Sequence, residues 1–230
     1  MRIADSPSRS RTRLPMKTYP LMLNIQGRQV VVVGGGSVGL RKVQSLLEAG
    51  AKVRLVAPQV ADAAGLERAE VIQAPYEPAQ LAGAALVFAC TDNRELNSRI
   101  ARDARSAGAW VNAADQSEDC DFYVPAVVSE GPVQIAIGTG GASPALAAVL
   151  KKAVASALPA QVGPFANALA EIRDELQARE GDTQVRCRIL RRLVEQGGLE
   201  AFGSGGRPAL DELARRLLRE ERNQGVPPGI

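Results

Sequence analysis

Four consecutive valines at positions 30–33 run directly into a glycine-rich turn, and this junction constrains the fold more than any other feature of the chain. A short run of β-branched apolar residues predicts a strand that is buried on both faces, as in a parallel sheet. Gly34, Gly36 and Gly39 follow with G-x-G-x-x-G spacing, and residues 38–49 have helical periodicity. Strand, glycine turn and helix in this order predict a Rossmann-like, dinucleotide-binding α/β fold.

The three glycines have separate roles in such a turn. The first permits the tight turn, the second lets the backbone approach a pyrophosphate, and the third lets the helix pack closely on the strand. The free N–H groups at the start of the helix can then bind the phosphates. We therefore predict cofactor binding by Gly34, Gly36, Ser37, Val38 and Gly39. The alternative is a tight strand-to-helix turn that binds no ligand.

The acidic residue that usually binds the cofactor ribose is missing. It is expected about 20 residues after the glycines, at the end of the second strand. The chain has Val56-Ala57-Pro58-Gln59 at this place, and no carboxylate occurs before Asp62. A basic cluster for a 2′-phosphate is missing too. We predict NAD rather than NADP or FAD, held by backbone contacts around Pro58 and Gln59.

Alternating strands and helices continue to about residue 114. Further strands are predicted at 52–57, 70–73, 84–89 and 109–112, and a helix at 94–107 that Thr91 or Asp92 caps. This alternation predicts a parallel sheet.

The pattern changes after Asp115. Segments 122–129 and 132–138 are extended around Glu130-Gly131, which is typical of a hairpin. Two strands alone cannot bury their faces, so we predict that a partner subunit covers them in a homodimer.

The rest of the chain is predicted to be helical. Ser143-Pro144 opens a helix that reaches about residue 158, residues 164–196 are helical, and residues 210–219 form one more helix. The glycine-rich segment 203–206 is typical of a linker. We expect a disordered extension (1–15, with Met16 as a possible start), a Rossmann domain (16–114), a dimerisation and active-site segment (115–150), and a helical C-terminal region with a disordered tail (151–230).

Composition excludes several classes of function. The chain has no histidine, which excludes histidine bases, Ser-His-Asp triads and histidine-ligated zinc. A net charge of +3 and an aromatic content of 3% do not favour nucleic acid as a partner. No apolar run approaches the roughly 20 residues of a membrane span. The three cysteines are far apart, which predicts free thiols in the cytoplasm and no metal site.

A series of collinear motifs between residues 19 and 150 supports a family resemblance. They include Tyr19-Pro20-Leu21-Met22-Leu23-Asn24-Ile25, Gly34-Gly35-Gly36-x-Val38-x-x-Arg41-Lys42, Val56-Ala57-Pro58, Ala89-Cys90-Thr91-Asp92, Val111-Asn112-x-x-Asp115, Cys120-Asp121-Phe122-x-x-Pro125-Ala126 and Gly138-Thr139-Gly140-Gly141-Ala142-Ser143-Pro144. With these motifs the chain resembles the precorrin-2 dehydrogenase and sirohydrochlorin ferrochelatase family, which includes the N-terminal module of siroheme synthase.

The resemblance implies NAD-dependent oxidation of the tetrapyrrole precorrin-2 to sirohydrochlorin, in siroheme biosynthesis. Asp115 matches the residue taken as the acid/base in this family, and a carboxylate suits a chain without histidine. The glycine-rich turn 138–143 opens a helix, so Thr139, Gly140 and Ser143 are candidates for binding substrate carboxylates. The alternative for this turn is helix capping by Ser143. Two other functions stay open: a dehydrogenase that also inserts iron into sirohydrochlorin, and a non-catalytic NAD-sensing module.

Overall fold

A computed structural model describes residues 17–62, 64–114 and 116–224 of the chain. The predicted extension 1–15, the tail 225–230 and the candidate catalytic residue Asp115 lie outside the described residues. Contacts divide the chain into two compact units, one over Tyr19–Val124 and one that begins at Pro125.

The first unit is a five-stranded parallel sheet with the order β3-β2-β1-β4-β5. Its elements are β1 (Gln29–Val33), α1 (Ser37–Glu48), β2 (Lys52–Val56), β3 (Glu70–Ile72), β4 (Leu86–Ala89), α2 (Arg94–Ser106) and β5 (Trp110–Ala113). This topology confirms the predicted Rossmann-like fold. The order places β1 at the centre, where the chain moves from one half of the sheet to the other.

The valine strand forms the centre of the core on both faces of the sheet. Val31 and Val33 pack in one buried cluster with Ile100 of α2. Val30 and Val32 pack in a second cluster with Val43 of α1. Each fully buried valine stabilises the fold by roughly 1.5–3 kcal/mol. The burial of the strand on two faces explains why its sequence does not alternate between apolar and polar residues.

The N-cap of α2 differs from the prediction. The predicted caps were Thr91 and Asp92, but Asn93 is the N-cap, and its side chain accepts a hydrogen bond from the Leu96 N–H at 3.0 Å. Thr91 instead binds Asn97: its hydroxyl and its backbone N–H both donate to Asn97 Oδ1, at 2.7 and 3.2 Å. Because these bonds occupy the Thr91 side chain, Thr91 does not cap α2, and the N-cap lies two residues further along the chain, at Asn93.

The second unit combines an antiparallel strand pair with four helices. The elements are β6 (Ala126–Glu130), β7 (Val133–Ile137), α3 (Pro144–Ala157), α4 (Val162–Arg179), α5 (Thr183–Glu195) and α6 (Gly198–Gln224). The pairing of β6 with β7 and the helical region confirm the predicted fold class. The predicted helical stretch 164–196 is divided between α4 and α5, because the chain leaves helical geometry at Glu180 and Asp182 caps α5.

The linker predicted at residues 203–206 is reduced to a break at Gly206, because residues 203–205 are helical and only Gly206 leaves helical geometry. The helix bends at Gly206, where φ is 62°, two residues before Pro208. Leu210 and Leu217, beyond the bend, are fully buried in the cluster that joins α4, α5 and α6. This burial offsets the cost of about 1 kcal/mol that each glycine adds to a helix.

None of the described helices is long and apolar enough to cross a membrane by itself. Helices α3 and α4, which meet at 66°, fulfil the length and composition criteria only as a bent pair.

Candidate functional site

The glycine turn lies at the carboxyl edge of the sheet, directly after β1. Its backbone is tied to both neighbouring strands: the Gly34 N–H donates to the Val56 carbonyl of β2 at 2.9 Å, and the Cys90 N–H donates to Val33 at 2.7 Å. Gly34 has a φ of 121°, and a Cβ atom there would lie 2.4 Å from the Cys90 carbonyl oxygen. Only glycine fits this place. Ligands of open α/β sheets bind at this edge, where the strand order changes direction.

The other two fingerprint glycines differ in the space around them. A Cβ atom on Gly39 would lie 2.0 Å from the Gly34 carbonyl oxygen, so helix and turn are in direct contact there. A Cβ atom on Gly36 would meet nothing within 4 Å, and Gly36 is the N-cap of α1 without a side-chain cap. Ser37 and Val38 are exposed in the first turn. The turn thus leaves open space in front of free helix N–H groups, which fits a dinucleotide pyrophosphate.

The loop after β2 packs against the same turn. The Ala61 N–H donates to the Gly35 carbonyl at 3.0 Å, and a Cβ atom on Gly35 would lie 2.2 Å from the Gln59 carbonyl oxygen. Pro58 and Gln59 are exposed beside it. Asp62, the first carboxylate of this loop, accepts a hydrogen bond from the Ala64 N–H at 2.9 Å. The two residues predicted to contact the ribose therefore adjoin the glycine turn.

A half-buried lysine lies on the same helix. Lys42 of α1 places its Nζ 5.6 Å from the ring centroid of Phe88, and that ring packs edge-on against Phe122. Burial lowers the pKa of Lys42, and the nearby Cys90 thiol acts in the opposite direction. The sequence motif contained Lys42, but only the structure shows that its ammonium lies against an aromatic ring rather than on a solvated face.

The loop after β5, which contains Asp115, is attached to α2 by its described residues. Three carboxylates bind successive positions along that helix: Glu118 pairs with Arg94, Asp119 accepts from Ser98, and Asp121 pairs with Arg105. Asn112 Nδ2 also donates to the Phe122 carbonyl at 2.9 Å.

The sequence selected neither Gln116 nor Asn97 as a site residue, although the structure buries both polar side chains. Gln116 is 4% exposed and Asn97 is 2% exposed. Asn97 fixes the turn after β4 through three hydrogen bonds with Thr91. The spacing of Arg94, Ser98 and Arg105 places these residues on one stripe of α2, but this spacing alone does not predict which loop they bind.

The predicted substrate residues lie in the second unit. Thr139 Oγ1 accepts from the Ser143 N–H at 3.3 Å and donates to the Ser143 carbonyl at 3.2 Å. Ser143 Oγ caps α3 by accepting from the Leu146 N–H at 3.1 Å. Gly140 has a φ of 59° in the same turn. Both hydroxyls thus have structural roles, and binding of substrate by these three residues stays a prediction.

All three cysteines are free thiols, as predicted, and they differ in accessibility. Burial raises the pKa of the Cys90 thiol to about 11, and burial also raises the pKa of Cys120. Cys187 is exposed on α5. At about pH 8 we expect iodoacetamide to modify Cys187 first and the other two only after unfolding. Mass-spectrometric mapping of the alkylated peptides checks this, and early labelling of Cys90 would contradict the structure.

A cavity of about 570 Å³ lies at the opposite, amino-terminal edge of the sheet. It is lined by residues around Gly27, Gly50 and Arg68. We assign the site to the glycine turn instead, because cofactors of this fold bind at the carboxyl ends of the strands. Within the described residues no group of three or more cysteines and carboxylates has a metal-binding arrangement.

The five-stranded sheet and its glycine turn define a Rossmann-type dinucleotide-binding protein. Residues 21–126 match the family model described as Putative NAD(P)-binding, which assigns a nicotinamide cofactor to the first unit. Residues 130–157 match the model described as Sirohaem biosynthesis protein central.

Individual relatives extend the match over most of the chain. The siroheme synthase of Ectopseudomonas mendocina is 37% identical over 217 residues, 93% of this chain and 46% of that protein. The siroheme synthase of Chromobacterium violaceum is 36% identical over 90% of this chain and 44% of its own length. The chain thus spans about half the length of these relatives.

A solved structure shares the fold. SirC, a precorrin-2 dehydrogenase, superposes with a TM-score of 0.69 at 22% identity, over 88% of this chain and 100% of that one. Together with the family models and the siroheme synthase relatives, this fold match confirms the predicted resemblance. The chain is therefore similar to siroheme synthases over most of its own length, and it shares the fold of a precorrin-2 dehydrogenase.

Proposed function

We propose that this protein oxidises precorrin-2 to sirohydrochlorin with NAD as the acceptor, in the biosynthesis of siroheme. The observation that carries the proposal is the glycine turn, open in front of Gly36, in a chain whose relatives are siroheme synthases. In this reaction the tetrapyrrole loses a hydride and a proton and becomes more conjugated. NAD, when bound, supplies the hydride acceptor.

The cofactor would be held mainly by backbone groups. Gly34 and Gly39 shape the turn, the N–H groups at the start of α1 face the pyrophosphate, and Gly36 keeps the space in front of them free. The exposed Pro58–Gln59 segment, packed against Gly35, would contact the ribose.

NAD should be preferred to NADP. The segment 56–61 after β2 contains no lysine or arginine, so a 2′-phosphate would find no cation there. We expect kcat/KM to be higher for NAD by about tenfold, which corresponds to 1.4 kcal/mol. Steady-state kinetics with both cofactors measures this ratio. A higher kcat/KM for NADP would show that the segment does not select the cofactor in this way.

Asp115 is the proposed acid/base, because the loop after β5 continues from the carboxyl edge of the sheet and the chain has no histidine. Thr139, Gly140 and Ser143 are proposed to bind carboxylates of the tetrapyrrole through the turn that opens α3. The backbone N–H groups at this helix start are the donors best suited to that role.

We further propose a cytoplasmic homodimer built on the second unit. The pair β6–β7 has no further strand among the described residues, and no residue of α3 is buried. Leu146, Val149 and Leu150 of α3 are exposed by 48%, 63% and 40%. A second copy of the chain would cover these apolar surfaces and the strands at 122–138.

Sedimentation at micromolar concentration should give a dimer, and Val149→Lys should shift it towards monomer, because an ammonium would then enter an apolar interface. Val194→Lys is the matched control, since Val194 is similarly exposed (54%) on α5. A monomeric wild-type protein, or a Val149→Lys variant that dimerises as tightly as the control, would contradict the proposed interface.

The proposed activity is tested by anaerobic incubation of the purified protein with precorrin-2 and NAD. The absorbance spectrum of sirohydrochlorin should develop only when both the protein and NAD are present. Binding of NAD without turnover would instead favour the sensing module. Rapid insertion of Fe²⁺ or Co²⁺ into the product would add the ferrochelatase activity.

A further inference from the structure

A small polar network lies between α2 and the loop that follows β5. At its centre is Gln116, whose side chain is buried. Its Nε2 donates hydrogen bonds to Ser98 Oγ at 2.8 Å and to Asp119 Oδ2 at 3.2 Å. Ser98 Oγ donates to the same Asp119 oxygen at 2.6 Å. The three side chains close a triangle of hydrogen bonds that ties the loop to the helix.

The backbone on both sides of position 115 is anchored as well. The Ala114 N–H donates to the Ala89 carbonyl of β4 at 2.9 Å. The Gln116 carbonyl lies 3.3 Å from the Cys120 thiol, and that sulfur accepts from the Ala113 N–H at 3.2 Å. The loop is therefore anchored through Ala114 to β4 and through Gln116 to Cys120.

One atom of the network has no evident structural use. Within the part of the chain that the structure describes, Gln116 Oε1 is buried without a hydrogen-bond partner. Such an acceptor is costly, and a methionine of similar length would fill the space without this cost. A residue that is not optimal for stability is typical of functional sites.

We propose that Gln116 is a positioning residue that acts through Asp115. Its amide holds the loop against α2 and keeps the Asp119 carboxylate bound to that helix. The role of Asp115 would depend on this attachment of the loop that carries it. The catalytic part of this inference rests on the proposed function, and the anchoring of the loop does not.

Hydrogen–deuterium exchange of the ligand-free protein tests the anchoring. Gln116→Met and Ser98→Ala each remove two of the three hydrogen bonds of the network, so each should raise the exchange rate of peptides that cover residues 111–121 by about fivefold or more. Ser106→Ala, at the exposed end of the same helix, is the control and should leave exchange there unchanged. Unchanged exchange in Gln116→Met, or in Ser98→Ala if the first variant does not fold, overturns the anchoring.

Kinetics then test the positioning of Asp115. Both variants should lower kcat for precorrin-2 oxidation about tenfold, a partial loss of acid/base catalysis, while KM for NAD stays as in the wild type. A kcat equal to the wild type despite faster exchange overturns the positioning role. An inactive wild-type protein refutes the proposed function instead, and the exchange data still decide the anchoring.

Discussion

Asp115→Ala should lower the rate of precorrin-2 oxidation about 10²–10⁴-fold, the usual cost of removing a positioned acid/base. The chain has no histidine that could replace the carboxylate as proton acceptor. NAD affinity should stay nearly unchanged, because the glycine turn is built from β1 and α1. Anaerobic initial rates measure the first effect, and titration with NAD measures the second.

Two further variants sharpen this prediction. Asp115→Asn keeps the size of the side chain and removes its basicity, so it should be nearly as inactive as the alanine variant. Asp174→Ala removes a carboxylate from the exposed face of α4 and should leave the rate unchanged. An Asp115→Ala protein that oxidises precorrin-2 at the wild-type rate would refute the catalytic assignment.

Gly36→Asp should strongly weaken NAD binding and leave the fold intact. Gly36 has a φ of −80°, which any residue adopts, and a Cβ atom there meets nothing within 4 Å. Aspartate is also a better N-cap than glycine, so α1 should be as stable or slightly more stable. In the complex, however, its carboxylate would adjoin two phosphates. We expect a loss of about 2 kcal/mol or more, roughly 30-fold in affinity.

NAD titration and thermal unfolding together check this result. Gly36→Asn has the same shape without the charge and should bind NAD more tightly than Gly36→Asp. Gly39→Ala behaves differently, because its Cβ would lie 2.0 Å from the Gly34 carbonyl and should lower the stability of the whole unit. A folded Gly36→Asp protein with wild-type NAD affinity would remove the glycine turn from the cofactor site.

The sequence predicted the Rossmann unit well because its signals are local and strong. The run of four valines predicts a buried strand, and the glycine spacing predicts a tight turn into a helix. Together they locate the edge of the sheet where the cofactor is expected to bind. The cap of α2 was wrong because Thr91, Asp92 and Asn93 are all able to cap a helix. The choice depends on the buried Asn97, whose bonds to Thr91 are visible only in three dimensions.

The helical region was harder to predict for a related reason. The glycines in segment 203–206 are typical of a linker by intrinsic propensity, yet only Gly206 leaves helical geometry, and helical structure resumes beyond it where Leu210 and Leu217 are buried. The network of Gln116, Ser98 and Asp119 joins residues 18 to 21 positions apart, beyond the reach of periodicity. Arg207 similarly ties α6 to α4 across a long sequence separation, because it pairs with Glu171 and Glu175.

The most direct test of the proposed function is the stoichiometry of the anaerobic reaction. NADH and sirohydrochlorin should form in equal amounts as precorrin-2 is consumed, because each substrate molecule transfers one hydride and releases one proton. The same mixture with the Asp115→Ala protein should form neither product at a comparable rate. Sirohydrochlorin that forms without NADH, or NAD that binds tightly while precorrin-2 is not consumed, would contradict the assignment of this chain as an NAD-dependent precorrin-2 dehydrogenase.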